Sequence, residues 1–244
     1  MKHFRVAVLW LILAIASSQK LFGQTTTPYG DNPQVGAYIM LNCVRHYYEV
    51  YGSGPPLLLI HGNRTATRGW APQFEYFAKK YRVYSVDCRG RGKSDLGADT
   101  LTFEQTAADM AAFINALKLD SVDIIGKSDG AIVAILMGIH HPAHIRRIVA
   151  FAGNMQPDTT AFFPQTLTQI SKERKEAEAM LAKKDTMKNW EVERQRLRLD
   201  EFQPHITAKD LSRIKMPVLV MSCDRDVIKL EHTLWIYQQI PRAN

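Results

Sequence analysis

The stretch Gly126-Lys127-Ser128-Asp129-Gly130 constrains the fold of this chain more than any other part of the sequence. Three of the four residues before it are apolar and β-branched, which predicts a buried strand over 122–125, and an apolar run predicts a helix over 131–139. Where a strand turns directly into a helix at Gly-x-Ser-x-Gly, the serine hydroxyl is lifted clear of the sheet. The two glycines leave room where the strand and the helix approach most closely. We therefore predict that Ser128 is a nucleophile on a sharp turn.

Strands and helices alternate around this stretch. Further buried strands are predicted at 56–60, 83–86 and 148–151, helices at 70–80 and 103–117, and an antiparallel hairpin at 37–42 and 46–51. This order predicts an α/β fold, in which a mostly parallel sheet carries helices on both faces. After Asn154 the sequence becomes charged and helical until about Met216, and we interpret this part as an insertion over the sheet.

The first residues have the composition of an export signal. A short basic segment precedes the apolar run Val6 to Ala16 and the small residues Ser17 and Ser18, an order typical of a secretory signal peptide and too short to span a bilayer. We divide the chain into a signal peptide (1–23), a flexible leader (24–36), the first part of the core (37–154), a helical cap (155–215) and the second part of the core (216–244). The protein is predicted to be exported to the periplasm or the extracellular space, with no stable membrane insertion after cleavage.

Charge and cysteine content exclude several classes of protein. The net charge is +7, but three basic residues lie in the first 24 positions without an acid, which leaves +4 for the remainder. No basic run is interleaved with aromatic residues, so the sequence does not indicate nucleic-acid binding. The three cysteines lack metal-ligand spacing, and we expect no metal site. Cys88 and Cys223 are predicted to be small buried residues at strand ends.

A serine nucleophile needs oxyanion donors, an acid and a base. We assign the donors to the backbone N–H groups of Asp129, at the start of a helix, and Asn63, in the loop after an earlier strand. Asp226 is the predicted acid because it lies deep in the loop after a later strand, where Asp224 more simply caps the turn. His61 precedes the serine and is predicted to be a structural residue bonded within its own loop.

The base is the part that the sequence does not supply. In this arrangement the order along the chain is Ser, Asp and then His. Only His232 follows Asp226, and it lies in a predicted helix that would point it away from the turn. We therefore expect that the sequence is truncated at its C-terminus, with a last strand, a histidine loop and a helix beyond Asn244. The 244-residue form should then hydrolyse p-nitrophenyl acetate poorly.

From Tyr48 to Asn244 the sequence resembles the α/β-hydrolase superfamily. The matching pieces are Leu59-Ile60-His61-Gly62-Asn63, Val86-Asp87-Cys88-Arg89-Gly90-Arg91-Gly92-Lys93-Ser94, Gly126-Lys127-Ser128-Asp129-Gly130 and Cys223-Asp224-Arg225-Asp226. The resemblance implies an α/β-hydrolase fold with eight strands, mostly parallel, and a helical cap after the sixth. It also implies Ser128 as nucleophile and Asp226 as acid, and a serine here argues against the dehalogenase and epoxide-hydrolase relatives, which use aspartate.

Within that superfamily, Ser128-Asp129-Gly130 is similar to the group around valacyclovir hydrolase and related biphenyl-degradation hydrolases. That similarity implies that Asp129 receives a substrate amino group, although a helix N-terminus also stabilises an aspartate without a ligand. Lys127 departs from the family, because an apolar or aromatic residue is usual there. Residues proposed to line the substrate pocket are Arg64, Trp70, Phe162 and Phe163.

The resulting prediction is an exported serine hydrolase that cleaves a small-molecule ester or a similar acyl bond through an acyl-enzyme. It needs no metal and no organic cofactor. Two enzymatic alternatives use the same fold, namely carbon–carbon bond hydrolysis of dienoic diketo acids and cofactor-free perhydrolysis of the haloperoxidase type. A third alternative is a non-catalytic binding protein that lacks the histidine.

Overall fold

A computed structural model describes residues 27–244. The predicted signal peptide lies outside these residues and stays a prediction. The strands are β1 (Gly36–Leu41), β2 (Val44–Tyr51), β3 (Pro56–Ile60), β4 (Arg82–Val86), β5 (Val122–Lys127), β6 (Ile145–Phe151) and β7 (Val218–Met221). The helices are α1 (Ala71–Phe77), α2 (Phe103–Ala116), α3 (Asp129–His140), α4 (Pro164–Ala182), α5 (Trp190–Phe202), α6 (Ala208–Leu211) and α7 (Leu230–Gln239). Within 27–244, no helix has both the length and the apolar character needed to cross a membrane.

The seven strands form one sheet in the order β1-β2-β4-β3-β5-β6-β7. Strands β1, β2 and β4 pair antiparallel, and all the pairs from β4 to β7 are parallel. Beyond β7, the Val220 N–H donates to the Asn244 carbonyl (3.0 Å) and the Asn244 N–H donates to the Val218 carbonyl (2.9 Å), so the last residues also pair with the sheet. The predicted mostly parallel α/β sheet is confirmed.

The sheet is buried on both faces by a residue-by-residue alternation. In β3, Leu58 and Ile60 point into the large core that α2 and α3 cover, whereas Leu57 and Leu59 point into a smaller core with Phe74 of α1. Helix α3 is buried from its first residue to Ile139, which explains why its sequence is apolar on every side. These contacts fix the position of α3, and with it the turn that carries Ser128.

Three helices, α4 to α6, occupy residues 164–211 between β6 and β7, and we call this part the helical segment. It is attached to the rest of the fold through the side chains of Gln195 in α5 and of Gln203 directly after that helix. The Leu101 N–H donates to Gln195 Oε1 (2.7 Å), and the Phe103 N–H donates to Gln203 Oε1 (3.3 Å). The start of α2 is also closed by the predicted capping box between Thr102 and Gln105.

Outside the catalytic motifs, the prediction of a buried Cys223 is wrong, and part of the predicted leader has defined contacts. Residues 27–36 are held against β2, because the Gly30 and Asn32 N–H groups donate to the buried Glu49 carboxylate (2.8 Å each), so this part of the leader is anchored. Cys223 is exposed, because the strand ends before it and it lies in the following loop, whereas Cys88 is buried as expected.

Candidate active site

Ser128 lies on a strained turn between β5 and α3. Its φ is 56° and its ψ is −122°, a conformation that costs a residue with a side chain of the order of 1–3 kcal/mol. The Ser128 N–H donates to the Phe151 carbonyl (2.8 Å), which fixes the turn to β6. A Cβ on Gly126 would lie 2.0 Å from the Gly130 carbonyl oxygen, and one on Gly130 would lie 2.1 Å from that of Ile60. Only glycines fit there, and the turn has the geometry that the sequence predicts.

Ser128 opens into a cavity of about 840 Å³. Asp226 lines the same cavity from the loop after β7, and Asn63 lines it from the loop after β3. The cavity also includes Asp129, Arg64 and Phe162, so the structure brings together six of the eight residues that the sequence predicts for the site. Ser128 itself is half-buried, which leaves its hydroxyl accessible from the cavity.

The two predicted oxyanion donors flank the nucleophile. Asp129 is the first residue of α3, where the backbone N–H has no intrahelical acceptor. The loop that carries Asn63 runs directly beside the serine, because a Cβ on Gly62 would lie 3.0 Å from Ser128 Cβ and 3.6 Å from Ser128 Oγ. Among residues 27–244, no other residue accepts a hydrogen bond from the N–H of Asn63 or Asp129. The Asn63 N–H is therefore available to a ligand oxygen, and the Asp129 N–H has only its own carboxylate as a neighbouring acceptor.

Asp226 is held by its own loop. Its Oδ1 accepts a hydrogen bond from the Ile228 N–H (3.1 Å) and its Oδ2 accepts a longer one from the Cys223 N–H (3.4 Å). The neighbouring Asp224 and Arg225 are exposed, whereas Asp226 is half-buried. These two backbone donors keep the Asp226 carboxylate at the cavity wall.

The histidines nearest the predicted site are used for structure. His61 accepts from the Cys88 N–H through Nε2 (3.0 Å), its Nδ1 lies 2.8 Å from the Gly62 carbonyl, and burial lowers its pKa to about 4. His232 accepts from the Met155 N–H (2.9 Å) and is 3% exposed. Within the described part of the chain, no histidine lines the cavity that holds Ser128. The base therefore stays a prediction.

Two residues predicted for the pocket lie elsewhere. Trp70 is 6% exposed and packs with Leu59 and Phe74 in the small core on the other face of the sheet, because the helical spacing that marked it is the spacing of a core face. Phe163 is 40% exposed and lies under the Lys229 ammonium, outside the cavity. Arg64 does line the cavity, and its guanidinium pairs with Glu173 of α4.

Three charged side chains behind the nucleophile were not predicted to belong to the site. Arg91 donates to the Asp129 carboxylate (3.2 Å), and Arg196 and Asp200 of α5 contact Asn63. Burial raises the pKa of Asp129, which Arg91 opposes, and burial together with the Asp129 charge raises the pKa of Asp200 to about 7. The predicted contact between Asp129 and a substrate amine stays a prediction. The ion pair argues against it, because the Asp129 carboxylate already has Arg91 as a partner.

The sequence carried part of the signal for these residues. Arg91 lies in the quoted Arg89-Gly90-Arg91-Gly92 motif, at the end of a predicted strand. Arg196 and Asp200 lie more than 130 residues after Asn63, in a charged helix whose pattern does not separate them from solvated neighbours. Between residues 27 and 244, no three His, Cys, Asp or Glu side chains lie close enough together to hold a metal ion.

Comparison with known proteins gives a consistent family. A model described as the alpha/beta hydrolase fold matches residues 55–177, which is half of the chain. Curated relatives include (E)-2-((N-methylformamido)methylene)succinate hydrolase of Acinetobacter baylyi (33% identical over 112 residues, 46% of this chain and 42% of the relative). Another is 2-hydroxymuconate semialdehyde hydrolase of a Pseudomonas species (32% identical over 123 residues, 49% of this chain and 44% of the relative). The chain thus matches less than half the length of these relatives.

Solved structures extend the similarity of fold over most of the chain. The enol-lactonase of Burkholderia xenovorans superposes with a TM-score of 0.70 at 20% identity, covering 85% of this chain and 89% of the other. A hydrolase from Pseudomonas aeruginosa superposes with a TM-score of 0.72 at 19% identity, covering 87% and 89%. Together with the sheet order, the turn at Ser128 and the family match, these similarities show that the chain belongs to the α/β-hydrolase fold family.

Proposed function

We propose that the protein is a serine hydrolase that cleaves an ester or a similar acyl bond of a small molecule through an acyl-enzyme. The observation that carries the proposal is the position of Ser128, which is held in a strained conformation and opens into a cavity that Asp226 also lines. Backbone strain of this kind persists only where the surrounding structure imposes it. A turn that holds a serine hydroxyl clear of the sheet, ready to act as a nucleophile, requires such strain.

In the proposed reaction, Ser128 Oγ attacks the carbonyl carbon and its proton passes to a general base. The N–H groups of Asn63 and Asp129 stabilise the oxyanion, which collapses as the leaving group departs with the proton. Water then adds to the acyl-enzyme in the same way and releases the acid. Asp226 would orient the base and stabilise its charged form. No histidine among residues 27–244 lines the cavity, so the base is the component still to be identified.

We propose that the helical segment acts as a cap over the nucleophile. Residues Gln165 and Ile170 of α4 line the cavity, as does Phe162 just before that helix. Glu173 of α4 pairs with Arg64, and Asp200 of α5 bonds to Asn63, so two helices of the segment contact the loop beside Ser128. This arrangement supports a role for the helical segment in selecting the substrate.

The charges of the cavity favour a substrate that carries an anionic group. Lys127 and Arg225 line the cavity, next to Ser128 and Asp226 in sequence, and neither forms an ion pair within the described residues. Of the four acids that line the cavity, Glu173 pairs with Arg64 and Asp129 with Arg91, and Asp200 and Asp226 accept hydrogen bonds. Relatives named for succinate, maleamate and heptadienoate compounds agree with this proposal.

A matched pair of substrates tests the anionic preference. We expect mono-p-nitrophenyl succinate to be hydrolysed about tenfold more efficiently than p-nitrophenyl pentanoate, because a charge-assisted hydrogen bond contributes about 1.5–3 kcal/mol. Lys127→Gln and Arg225→Gln should reduce that ratio, measured as kcat/KM, whereas Lys183→Gln outside the cavity should not. An unchanged ratio in both cavity variants would contradict the proposal.

The nucleophile is tested by covalent labelling. A fluorophosphonate probe should label the full-length protein. Ser128→Ala should remove the label and reduce kcat by several orders of magnitude. Labelling that survives Ser128→Ala would falsify the assignment. Absence of both label and turnover in the full-length protein would support a binding protein instead.

Carbon–carbon bond hydrolysis is the second candidate. It is favoured by the similarity to 2-hydroxymuconate semialdehyde hydrolase and to 2-hydroxy-6-oxo-2,4-heptadienoate hydrolase of Pseudomonas putida. The decay of a coloured dienoate substrate, followed beside p-nitrophenyl esters, separates the two reactions by their relative kcat/KM. Cofactor-free perhydrolysis would appear as peroxide-dependent turnover of an acid and has no separate support here.

A further inference from the structure

One residue of the predicted oxyanion hole is held by the helical segment. Asn63 Nδ2 donates to Asp200 Oδ2 (2.6 Å) and to the Arg196 carbonyl (3.3 Å). Arg196 Nη1 in turn donates to the Asn63 carbonyl (3.0 Å) and to Asn63 Oδ1 (3.0 Å). Four hydrogen bonds therefore join a single loop residue beside Ser128 to helix α5. The side-chain oxygen, the side-chain nitrogen and the backbone carbonyl of Asn63 are all engaged.

The three contacts between Asn63 and Arg196 are buried and the one with Asp200 is partly buried, which distinguishes them from the ion pairs on the surface of the helical segment. Asn63 is 8% exposed and Arg196 is 9% exposed. Arg196 Nη2 also pairs with Glu193 (2.5 Å) on the same helix. This ion pair holds the guanidinium in the position from which Nη1 contacts the loop. A buried hydrogen bond to a charged group is stronger than an exposed one, and losing either partner leaves the other unsatisfied.

The remaining atom of Asn63 that can act in catalysis is its backbone N–H. The direction of an N–H group is fixed by its peptide plane and by the dihedral angles of its residue. Arg196 and Asp200 fix the carbonyl and the side chain of Asn63, and thereby restrict those angles. An oxyanion donor stabilises the transition state only when it lies 2.7–3.1 Å from the oxyanion, and a displacement of about 1 Å can cost about 100-fold in rate.

We propose that Arg196 and Asp200 are positioning residues for the Asn63 N–H, so that the helical segment sets the geometry of the oxyanion hole. The proposal rests on the proposed hydrolase function. It adds that the helical segment affects the rate of the chemical step, besides selecting the substrate. A ligand that displaces α5 would be bound but turned over slowly, because it would move a donor of the oxyanion hole.

The chain offers a matched pair of arginines for the test. Arg196 contacts Asn63, whereas Arg194 lies on the same helix, pairs with Glu191 three residues earlier, and does not contact the loop. We expect Arg196→Gln to lower kcat about 10- to 100-fold with KM within about threefold of the original value. Arg194→Gln should leave both constants nearly unchanged. Equal losses in both variants, or a higher KM with unchanged kcat in Arg196→Gln, would overturn the proposal.

Asp200 gives a second, conservative test. Asp200→Asn keeps an oxygen that can accept from Asn63 Nδ2, and kcat should stay within about threefold. Asp200→Ala removes the acceptor and should lower kcat about tenfold or more. If Asn and Ala at this position lower kcat equally, hydrogen bonding to Asn63 is not the cause and the proposal fails. Thermal unfolding of each variant shows whether a loss of activity reflects a loss of folded protein.

A measurement that does not need turnover separates this proposal from the proposed function. Hydrogen exchange of the backbone amides over 61–66, followed by mass spectrometry, should accelerate about tenfold in Arg196→Gln and not in Arg194→Gln. If the wild-type chain neither reacts with the fluorophosphonate nor hydrolyses esters, the proposed function fails, and the exchange result still decides whether α5 holds this loop. Unchanged exchange in Arg196→Gln would overturn the positioning role in either case.

Discussion

The two halves of the candidate site are built in different ways. On the nucleophile side, Ser128 lies between three glycines that admit no Cβ without close contacts, and the buried Arg91 and Arg196 hold the residues of the two predicted oxyanion donors. On the acid side, Asp226 lies in a loop with exposed neighbours and is held by two backbone donors. The nucleophile side is therefore integrated into the core. The acid side is attached to the end of a single strand, so its residues should be replaceable with little cost in stability.

The largest expected effect is a loss of kcat on the acid side, and it tests whether Asp226 contributes to catalysis without contributing to stability. Asp226→Asn should lower kcat by about 10⁴, equivalent to about 5.5 kcal/mol of transition-state stabilisation, because a neutral amide no longer stabilises the charged base. The free energy of unfolding should change by less than about 1 kcal/mol, since this loop is largely exposed. Steady-state kinetics and urea denaturation measure the two quantities. Full activity in Asp226→Asn would remove Asp226 from the proposed mechanism.

A smaller effect is expected on the nucleophile side, and it should appear in stability. A Cβ on Gly130 would lie 2.1 Å from the Ile60 carbonyl oxygen, so Gly130→Ala must push α3 away from β3 and should lower the free energy of unfolding by about 3 kcal/mol or more. Gly138→Ala in the same helix is the control, because its closest neighbour is the end of the Ile148 side chain at 3.0 Å. If both variants are equally stable, the close packing inferred around the turn is wrong.

The smallest effect concerns pH and one of the carboxylates that line the cavity, Asp200. The pKa of Asp200 is raised to about 7 in the folded state, against about 3.9 in an unfolded chain. Between these values the folded state keeps a proton that the unfolded state loses, so this group lowers stability as the pH rises from about 4 to 7. Asp200→Asn should therefore reduce the loss of stability between pH 5 and pH 8, measured by urea denaturation. An identical pH dependence in Asp200→Asn would contradict the raised pKa.

The fold was predictable because its strands and turns are local patterns. The apolar run of β5 and the glycines around Ser128 identify the turn within about ten residues, and the capping box at Thr102 marks the start of α2. The Asp226 loop was predictable for the same reason, since it follows the next buried strand after the helical segment. Local sequence patterns therefore predicted where the strands end, and the candidate site is assembled from the loops that follow those ends.

The parts that the sequence did not predict depend on contacts between distant residues. The apolar spacing of Trp70 is the same whether its ring faces a pocket or a core, and the structure places it in the core. Arg196 resembles its solvated neighbours in α5 and is distinguished only by its contact with Asn63, 133 residues earlier. Charge patterns along a helix show which face is polar, but not which charge reaches another loop.

Glu49 has a practical consequence for the beginning of the folded chain. This fully buried carboxylate accepts hydrogen bonds from the N–H groups of Gly30 and Asn32 and from the hydroxyls of Tyr47 and Tyr51. A protease cut or a fusion joint placed before residue 27 leaves all four donors in place. Trimming through Asn32 would remove two of them from an anion that water cannot reach, at a cost of about 1–3 kcal/mol for each lost partner. The latest safe starting point for a shortened version is thus set by a side chain in the second strand.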